Sequence, residues 1–390
     1  MIRNSKERDI SQFCRWLGIY FFFLIVNGMG LGSMGSILRL LAAVPIVVWL
    51  KEKHCLVLTA QVKATILFVI SCFITIYWSL SYNESITRVI SHILFLLLLI
   101  SVSSYRYTES EISFLRKCLI NASRLSAIVL LSTGSYAEGR LLLSGLIKED
   151  PNYLCAYFMF GVSACILKLL DKDETKKDKT FAAAELFIYT YIIFSTGSRG
   201  GLFAVVAVIM IVILLDGGIS TNIAKKTLIL ILLTVAAVFV MTLLPKNVAN
   251  RFTREAIAES NGTGRYDLWE CAWNTFKQSS LFRQIFGYGT AAARPIIRRF
   301  SSLPNSVYHN VFVDNLVEIG VFGLICYIIH IGSFVIQSLK ENDAFTTAII
   351  MGMIVLSLST SIYTFKPYWN IMLFIACCEG KIENESSYCG

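Results

Sequence analysis

Residues 226–244 read KTLILILLTVAAVFVMTLL and carry no charge after Lys226. A helix of this length, rising 1.5 Å per residue, crosses the ~30 Å hydrocarbon core of a bilayer. It has to be a helix, because lipid offers backbone N–H and C=O groups no hydrogen-bond partner. Outward from it, similar blocks recur at 14–31, 34–50, 64–80, 86–104, 117–133, 152–170, 180–197, 199–215, 309–337, 344–362 and 367–379. The block at 117–133 is interrupted by Asn121 and Arg124, and the last is short and begins at Pro367. Composition agrees with this pattern. Of 390 residues 55% are hydrophobic and 16% charged, with a mean hydropathy of +0.64, whereas soluble domains carry about 25% charged residues. The sequence therefore predicts an all-α integral membrane protein with about twelve spans, forming one polytopic domain over residues 1–390. The first span keeps charged neighbours and lacks a small-residue cleavage site, so it reads as a retained helix.

Orientation follows from the basic residues. With the N-terminus inside, the short inner segments collect most of the Lys and Arg, including Arg3, Lys51, Lys172 and Lys177. The short outer segments hold Arg88, Arg140, Lys148, Arg199 and Lys366. Both termini are thus expected in the cytoplasm. Residues 245–308 then form a large outer loop between the ninth and tenth spans. This loop is basic, with Lys246, Arg251, Arg254, Arg265, Lys277, Arg283, Arg294, Arg298 and Arg299 against Glu255, Glu259, Asp267 and Glu270. Long loops translocate despite such charge. Within it, helical spacing sets Leu268, Ala272 and Thr275 on one side and Trp269, Trp273 and Phe276 on the next. We expect a helix lying at the membrane interface with aromatic anchors, after a flexible Asn261-Gly262-Thr263-Gly264.

Polar groups at a membrane boundary are costly, so their placement carries functional information. Four places stand out. His309 opens the tenth span; on a continuous helix it shares a face with Val313, Leu316 and Gly320, beside a polar stripe of Asn310, Asp314 and Glu318. A histidine there suits general-base work near neutral pH, and interfacial packing explains it equally well. Ser195-Thr196-Gly197-Ser198-Arg199-Gly200-Gly201 makes a tight turn, with Arg199 either a snorkelling anchor or a fork-shaped donor to phosphate. Asp150-Pro151-Asn152-Tyr153 has the chemistry of a helix start. The fourth is Arg265 with the Arg294, Arg298 and Arg299 group, which suits anionic head groups or a polyanionic ligand. Eleven cysteines form no CxxC pair and no zinc spacing, and no Gly-rich nucleotide loop follows a strand.

Taken in order, Asp150-Pro151-Asn152, Ser198-Arg199-Gly200, Gly262-Thr263-Gly264-Arg265 with Trp269, Gly287-Tyr288-Gly289, and His309-Asn310 with Glu318, Gly320 and Gly323 form a specific set. Over roughly 145–325 the chain resembles the O-antigen polymerase and O-antigen ligase family of bacterial envelope enzymes. The resemblance implies a metal-independent, cofactor-free glycosyltransferase on the outer face of the cytoplasmic (inner) membrane. Its donor is an undecaprenyl-pyrophosphate-linked oligosaccharide. It implies His309 as base and Arg199 and Arg265 as cations for the leaving pyrophosphate. Asp150, Asn152, Asn310, Arg298, Arg299 and Glu318 are expected around the substrate, with Glu318 and Asp314 behind the reacting atoms. The spacing from His309 to Gly320 resembles a polymerase pattern, although an Arg followed by Gly at that same spacing is missing from the loop. Polymerisation is the favoured activity, ligation to lipid A-core or protein the alternative. Transport of the lipid-linked repeat is a third reading, disfavoured because the polar groups crowd the boundary and no repeat is visible. Expected partners are the lipid bilayer, a chain-length regulator and a flippase; nucleic acid is not expected.

Overall fold

A computed structural model describes residues 10–27, 35–52, 55–137, 139–143, 151–215, 223–259, 264–301, 307–362 and 366–382. The expected site residue Asp150 and the flexible Asn261-Gly262-Thr263 lie outside the described residues. In chain order the elements begin with α1 (Gln12–Asn27), α2 (Gly35–Lys51), α3 (Ala60–Ile74), α4 (Tyr82–Ser103) and α5 (Glu109–Thr133). A two-stranded hairpin follows, β1 (Gly134–Ala137) and β2 (Arg140–Leu143). Then come α6 (Pro151–Leu170), α7 (Lys176–Ser195), α8 (Arg199–Leu215) and α9 (Ile223–Leu243). Short helices α10 (Lys246–Ala249), α11 (Arg254–Glu259), α12 (Arg265–Gln278), α13 (Leu281–Phe286) and α14 (Ala293–Phe300) fill the long segment. The chain ends with α15 (Val311–Glu318), α16 (Gly320–Lys340), α17 (Ala344–Ser357) and α18 (Lys366–Glu379).

Each predicted apolar stretch overlaps a helix. Among the described residues, five helical stretches have both the length and the composition of a membrane crossing: Ala60–Trp78, Tyr82–Ser103, Pro151–Leu170, Lys226–Leu243 and Gly320–Lys340. Leu41–Lys51, α8 and α17 are apolar but shorter. α6 is the most enclosed of the five and α9 the least. The centre is the packing of α6, α8 and α17, drawn close by small residues. A Cβ at Gly201 would meet Cys155 Sγ at 2.3 Å, and one at Gly352 would meet Val208 at 2.4 Å. The charge that interrupts α5 is paired within the bundle. Arg124 Nε donates to Glu185 on α7 at 2.9 Å, and Tyr189 donates to the same carboxylate at 2.6 Å.

At one end of the bundle the α4–α5 connection and α5 are tied to the last helices. Arg116 pairs with Asp343 at 2.7 Å, and Tyr107 N donates to the Gly380 carbonyl at 3.0 Å. The long segment folds over the opposite end.

Three expectations change. First, the chain is not wholly α-helical: β1 and β2 pair antiparallel, Gly134 opposite Leu143, in the connection between α5 and α6. Second, the predicted helix over 309–337 is two helices. Asn310 caps α15 by accepting from Phe312 N at 2.9 Å and Val313 N at 3.3 Å, so His309 precedes the helix. At the other end Gly320 adopts φ +70°, left-handed, which glycine accepts without a Cβ clash. The proposed stripe from His309 through Gly320 is therefore cut at both ends. Third, α12 is a packed element. Leu268, Ala272 and Thr275, which helical spacing sets on one side, are its buried face. They join Ala292, Ala293, Ile296, Ile297, Tyr308 and Val317 in or beside a small core of the segment's own. Trp273 is exposed, whereas Trp269 is half-buried and turned to the site.

Candidate active site

The site forms where the starts of α6 and α8, the turn after α17 and the segment 307–318 converge. Asn152 Oδ1 accepts from Ser198 Oγ at 2.6 Å, and Ser198 Oγ accepts from Gly201 N at 3.0 Å, capping α8. Gly200 lies so close that a Cβ there would meet Ser359 Oγ at 2.2 Å. Arg199, half-buried at the first position of α8, is carried on this tightly held turn. Behind it, Arg251 Nε donates to the Gly197 carbonyl at 3.3 Å.

The turn after α17 continues the connection. Tyr153 OH donates to the Ser361 carbonyl at 2.9 Å, and Ser361 Oγ donates to Asp314 Oδ2. The other Asp314 oxygen accepts from Tyr308 N at 3.0 Å. Trp269 Nε1 donates to the Tyr308 carbonyl, also at 3.0 Å. Tyr308 is thus gripped on both sides. His309 follows it, half-buried, at φ +53°. A left-handed backbone at a non-glycine residue costs about 1–3 kcal/mol and persists where neighbours over-determine it. Here the grip on Tyr308 and the Asn310 cap do so. Asp314 is fully buried; burial and the nearby Glu318 charge push its carboxyl up to about 7, against the opposing hydrogen bonds from Ser361 and Tyr308.

Glu318 occupies a different position from a substrate contact. Its carboxylate accepts from Arg88 Nη1 at 2.7 Å, Ala291 N at 3.0 Å and Ala293 N at 3.1 Å, and it is 2% exposed. It clamps the 289–293 turn, where Ala291 sits at φ +66°. The Gly287-Tyr288-Gly289 motif lies against the end of α15. Tyr288 N donates to the Val317 carbonyl at 3.0 Å and Gly289 N to the Glu318 carbonyl at 2.7 Å. A Cβ at Gly287 would meet Glu318 O at 2.3 Å, and one at Gly320 would meet Ile285 O at 2.3 Å. Close backbone approach therefore sets glycine at these positions.

Among the basic residues the structure separates two groups. Arg251 and Arg283 serve the fold; Arg283 Nη1 reaches the carbonyls of Trp78 at 3.2 Å and Gly287 at 3.3 Å. Arg294, Arg298 and Arg299 are exposed on α14, opposite its buried Ala293, Ile296 and Ile297. With Ser81 and Glu84 they line a depression of about 540 Å³. Arg265 opens α12 after Gly264, one turn before the Trp269 that holds Tyr308. Among the described residues no three His, Cys, Asp or Glu side chains converge as metal ligands. Sequence reading counted Arg88 only as an outer charge and passed over Ser359 and Ser361. Arg88 lies 230 positions from Glu318 and Ser361 47 from Asp314, so neither pairing has a local signal.

Residues 184–328 match the family model Wzy_C, O-antigen ligase. Over that stretch the chain is similar to the O-antigen ligase family, in agreement with the polymerase and ligase resemblance of its motifs. The match runs from α7 into α16, taking in the Ser198-Arg199-Gly200 turn, the long segment, His309, Glu318 and both Gly320 and Gly323. Asn152 and the Ser359–Ser361 turn, which complete the constellation, lie outside it. No curated protein matches the chain. The apolar helices and the family match agree on an integral membrane protein.

Proposed function

We propose that this protein polymerises undecaprenyl-pyrophosphate-linked oligosaccharide repeats into surface polysaccharide on the outer face of the cytoplasmic membrane. The observation that carries the reading is the junction built by the Ser359–Ser361 turn. It joins the Arg199 turn to the Asp314-held segment presenting His309. In the reaction His309 takes the proton of an acceptor hydroxyl, whose oxygen attacks the anomeric carbon of the donor's first sugar. The bond from that carbon to the pyrophosphate oxygen breaks, and undecaprenyl pyrophosphate leaves. Attack opposite the leaving group inverts the anomeric centre. Arg199 and Arg265 stabilise the charge that develops on the pyrophosphate, typically the largest catalytic contribution. Asn152 and Asn310 order the two turns, Glu318 holds the loop, and Arg298 and Arg299 offer a basic face to the polyanion. Asp150 is a further substrate contact in this reading. With arginines in this role we propose that no divalent cation is needed. A chain-length regulator and a flippase are the natural partners in the same membrane.

The match to an O-antigen ligase family favours a second reading. In it the same chemistry moves the glycan once, to a lipid A-core or protein acceptor. Vesicles carrying the purified protein and labelled lipid-linked repeats separate the two. A ladder of elongated products is expected, persisting in EDTA and reduced ~10²–10⁴-fold in His309→Ala. Single transfer to an added acceptor, with no ladder, would establish the ligase. Movement of label across the bilayer without any transfer would establish a transporter.

A further inference from the structure

A second cavity, of about 640 Å³, lies between α1, α2, α4 and α18 and touches the 289–293 turn at Ala291. Its volume is in the range of small-molecule sites, roughly 300–1,000 Å³. Its lining changes character along α4. Near the start of α4 it carries Arg88, and Lys366 enters from the start of α18, with Glu84 exposed at the rim. Deeper, Leu94, Phe95 and Leu98 make it apolar. At the change stands His92, one helical turn below Arg88 and on the same face. His92 is 1% exposed, and among the described residues neither ring nitrogen has a hydrogen-bond partner. Its ring is wedged between Trp369, 5.2 Å away, and Phe68, 5.5 Å away. Buried polar atoms are almost always bonded, so a ring left without a protein partner on a cavity wall calls for a partner inside the cavity.

We propose that this cavity binds a phosphate-bearing lipid. The phosphate lies between Arg88 and Lys366, an oxygen of the head group bonds His92, and the chain runs along Leu94, Phe95 and Leu98. Ile90 and Leu97, exposed on the neighbouring side of α4, leave a lateral approach from a bilayer. Two features argue against a purely apolar occupant: the pair of cations at one end and the unsatisfied imidazole at the midpoint. Two features argue against a small soluble anion: the apolar depth and the position beside exposed apolar helix surface. The site also reaches the catalytic segment. Arg88 is shared with Glu318, whose other bonds hold Ala291 and Ala293. A phosphate on Arg88 therefore bears on the clamp that orders the turn next to α15, and occupancy orders that turn. This coupling rests on the proposed function only in naming what the turn serves; binding does not.

The test uses the full chain in a phosphate-free detergent and native mass spectrometry. Two matched pairs of lipids are the probes: phosphatidylglycerol with diacylglycerol, and undecaprenyl phosphate with undecaprenol. The phosphate-bearing member of at least one pair should be retained about tenfold better than its phosphate-free partner, as expected when a charge-assisted bond is lost. Whichever phosphate lipid binds better identifies the source. His92→Leu and Lys366→Gln should each lower that retention about tenfold, with melting temperatures near wild type; Arg88 is left in place because it also holds Glu318. Hydrogen exchange at Ala291 and Ala293 should slow when the preferred lipid is added. Equal retention within both pairs, or wild-type retention by both variants, would overturn the site; exchange unchanged by bound lipid would overturn the coupling. Chain elongation is measured separately. Lost lipid retention with His309-dependent elongation intact refutes this site alone, and retained lipid with no elongation refutes the functional reading alone.

Discussion

Replacing Glu318 by alanine removes an acceptor for three donors at once. Arg88 loses this carboxylate, and the amides of Ala291 and Ala293 lose the same acceptor. Breaking a buried ion pair by removing one partner costs about 3–5 kcal/mol. Arg88 retains 20% side-chain exposure, so water reaches its head and the lower figure applies. Each orphaned buried amide adds about 1–3 kcal/mol. The lower ends together give about 5 kcal/mol, comparable to the whole stability of a marginal domain, roughly 5–15 kcal/mol. The loss is local, because the bundle core does not pass through this turn. The expected result is opening of the 289–293 turn with the helices intact, seen as faster amide exchange at Ala291 and Ala293 by on the order of 10³-fold. Glu318→Gln keeps one acceptor oxygen in nearly the same volume and should fall between. Exchange at both amides within about threefold of wild type in Glu318→Ala would show that the clamp does not hold the turn.

Further outcomes follow from the same geometry. Gly320→Ala should fail to accumulate or melt well below wild type, because its Cβ would stand 2.3 Å from a backbone oxygen; Gly264→Ala, at φ +75° but with no atom of the described residues within 4 Å of its Cβ, should cost only about 1 kcal/mol. Asp314, with its carboxyl raised from 3.8 to about 7, contributes stability that is full below pH 3.8 and lost as pH rises through about 7. Thermal melts should show this decline in wild type and not in Asp314→Asn; identical pH slopes would refute the assignment. Arg199→Lys should impair chain elongation nearly as much as Arg199→Ala, since a point charge does not reproduce the guanidinium fork on two phosphate oxygens. Full activity in Arg199→Lys would reduce Arg199 to a charge.

The helices were legible because their cause is local. An apolar run such as Leu228–Val240 has one way to satisfy its backbone in lipid, so its class follows from composition alone. The helical spacing of Leu268, Ala272 and Thr275 in α12 was legible for a related reason, whereas their burial against the segment's own core was not. The motifs were legible as an ordered set, and the family match spans those from Ser198 to Gly323. Their arrangement was not. Hydropathy runs smoothly through residues 309–337 and says nothing of a left-handed His309 or of a break at Gly320.

By itself the sequence determined that this is a helical membrane protein, which residues of α12 share a side, and which residues carry the family resemblance. Tertiary structure alone decided that Gly287 and Gly320 touch, that Arg88 and Glu318 pair, and that Ser361 reaches Asp314. Each of these depends on a partner far away in the chain. Backbone satisfaction and helical periodicity act within a few residues, and composition therefore records them. A clamp or a kink exists only when distant segments dock, and it is that docking which sets His309 in place.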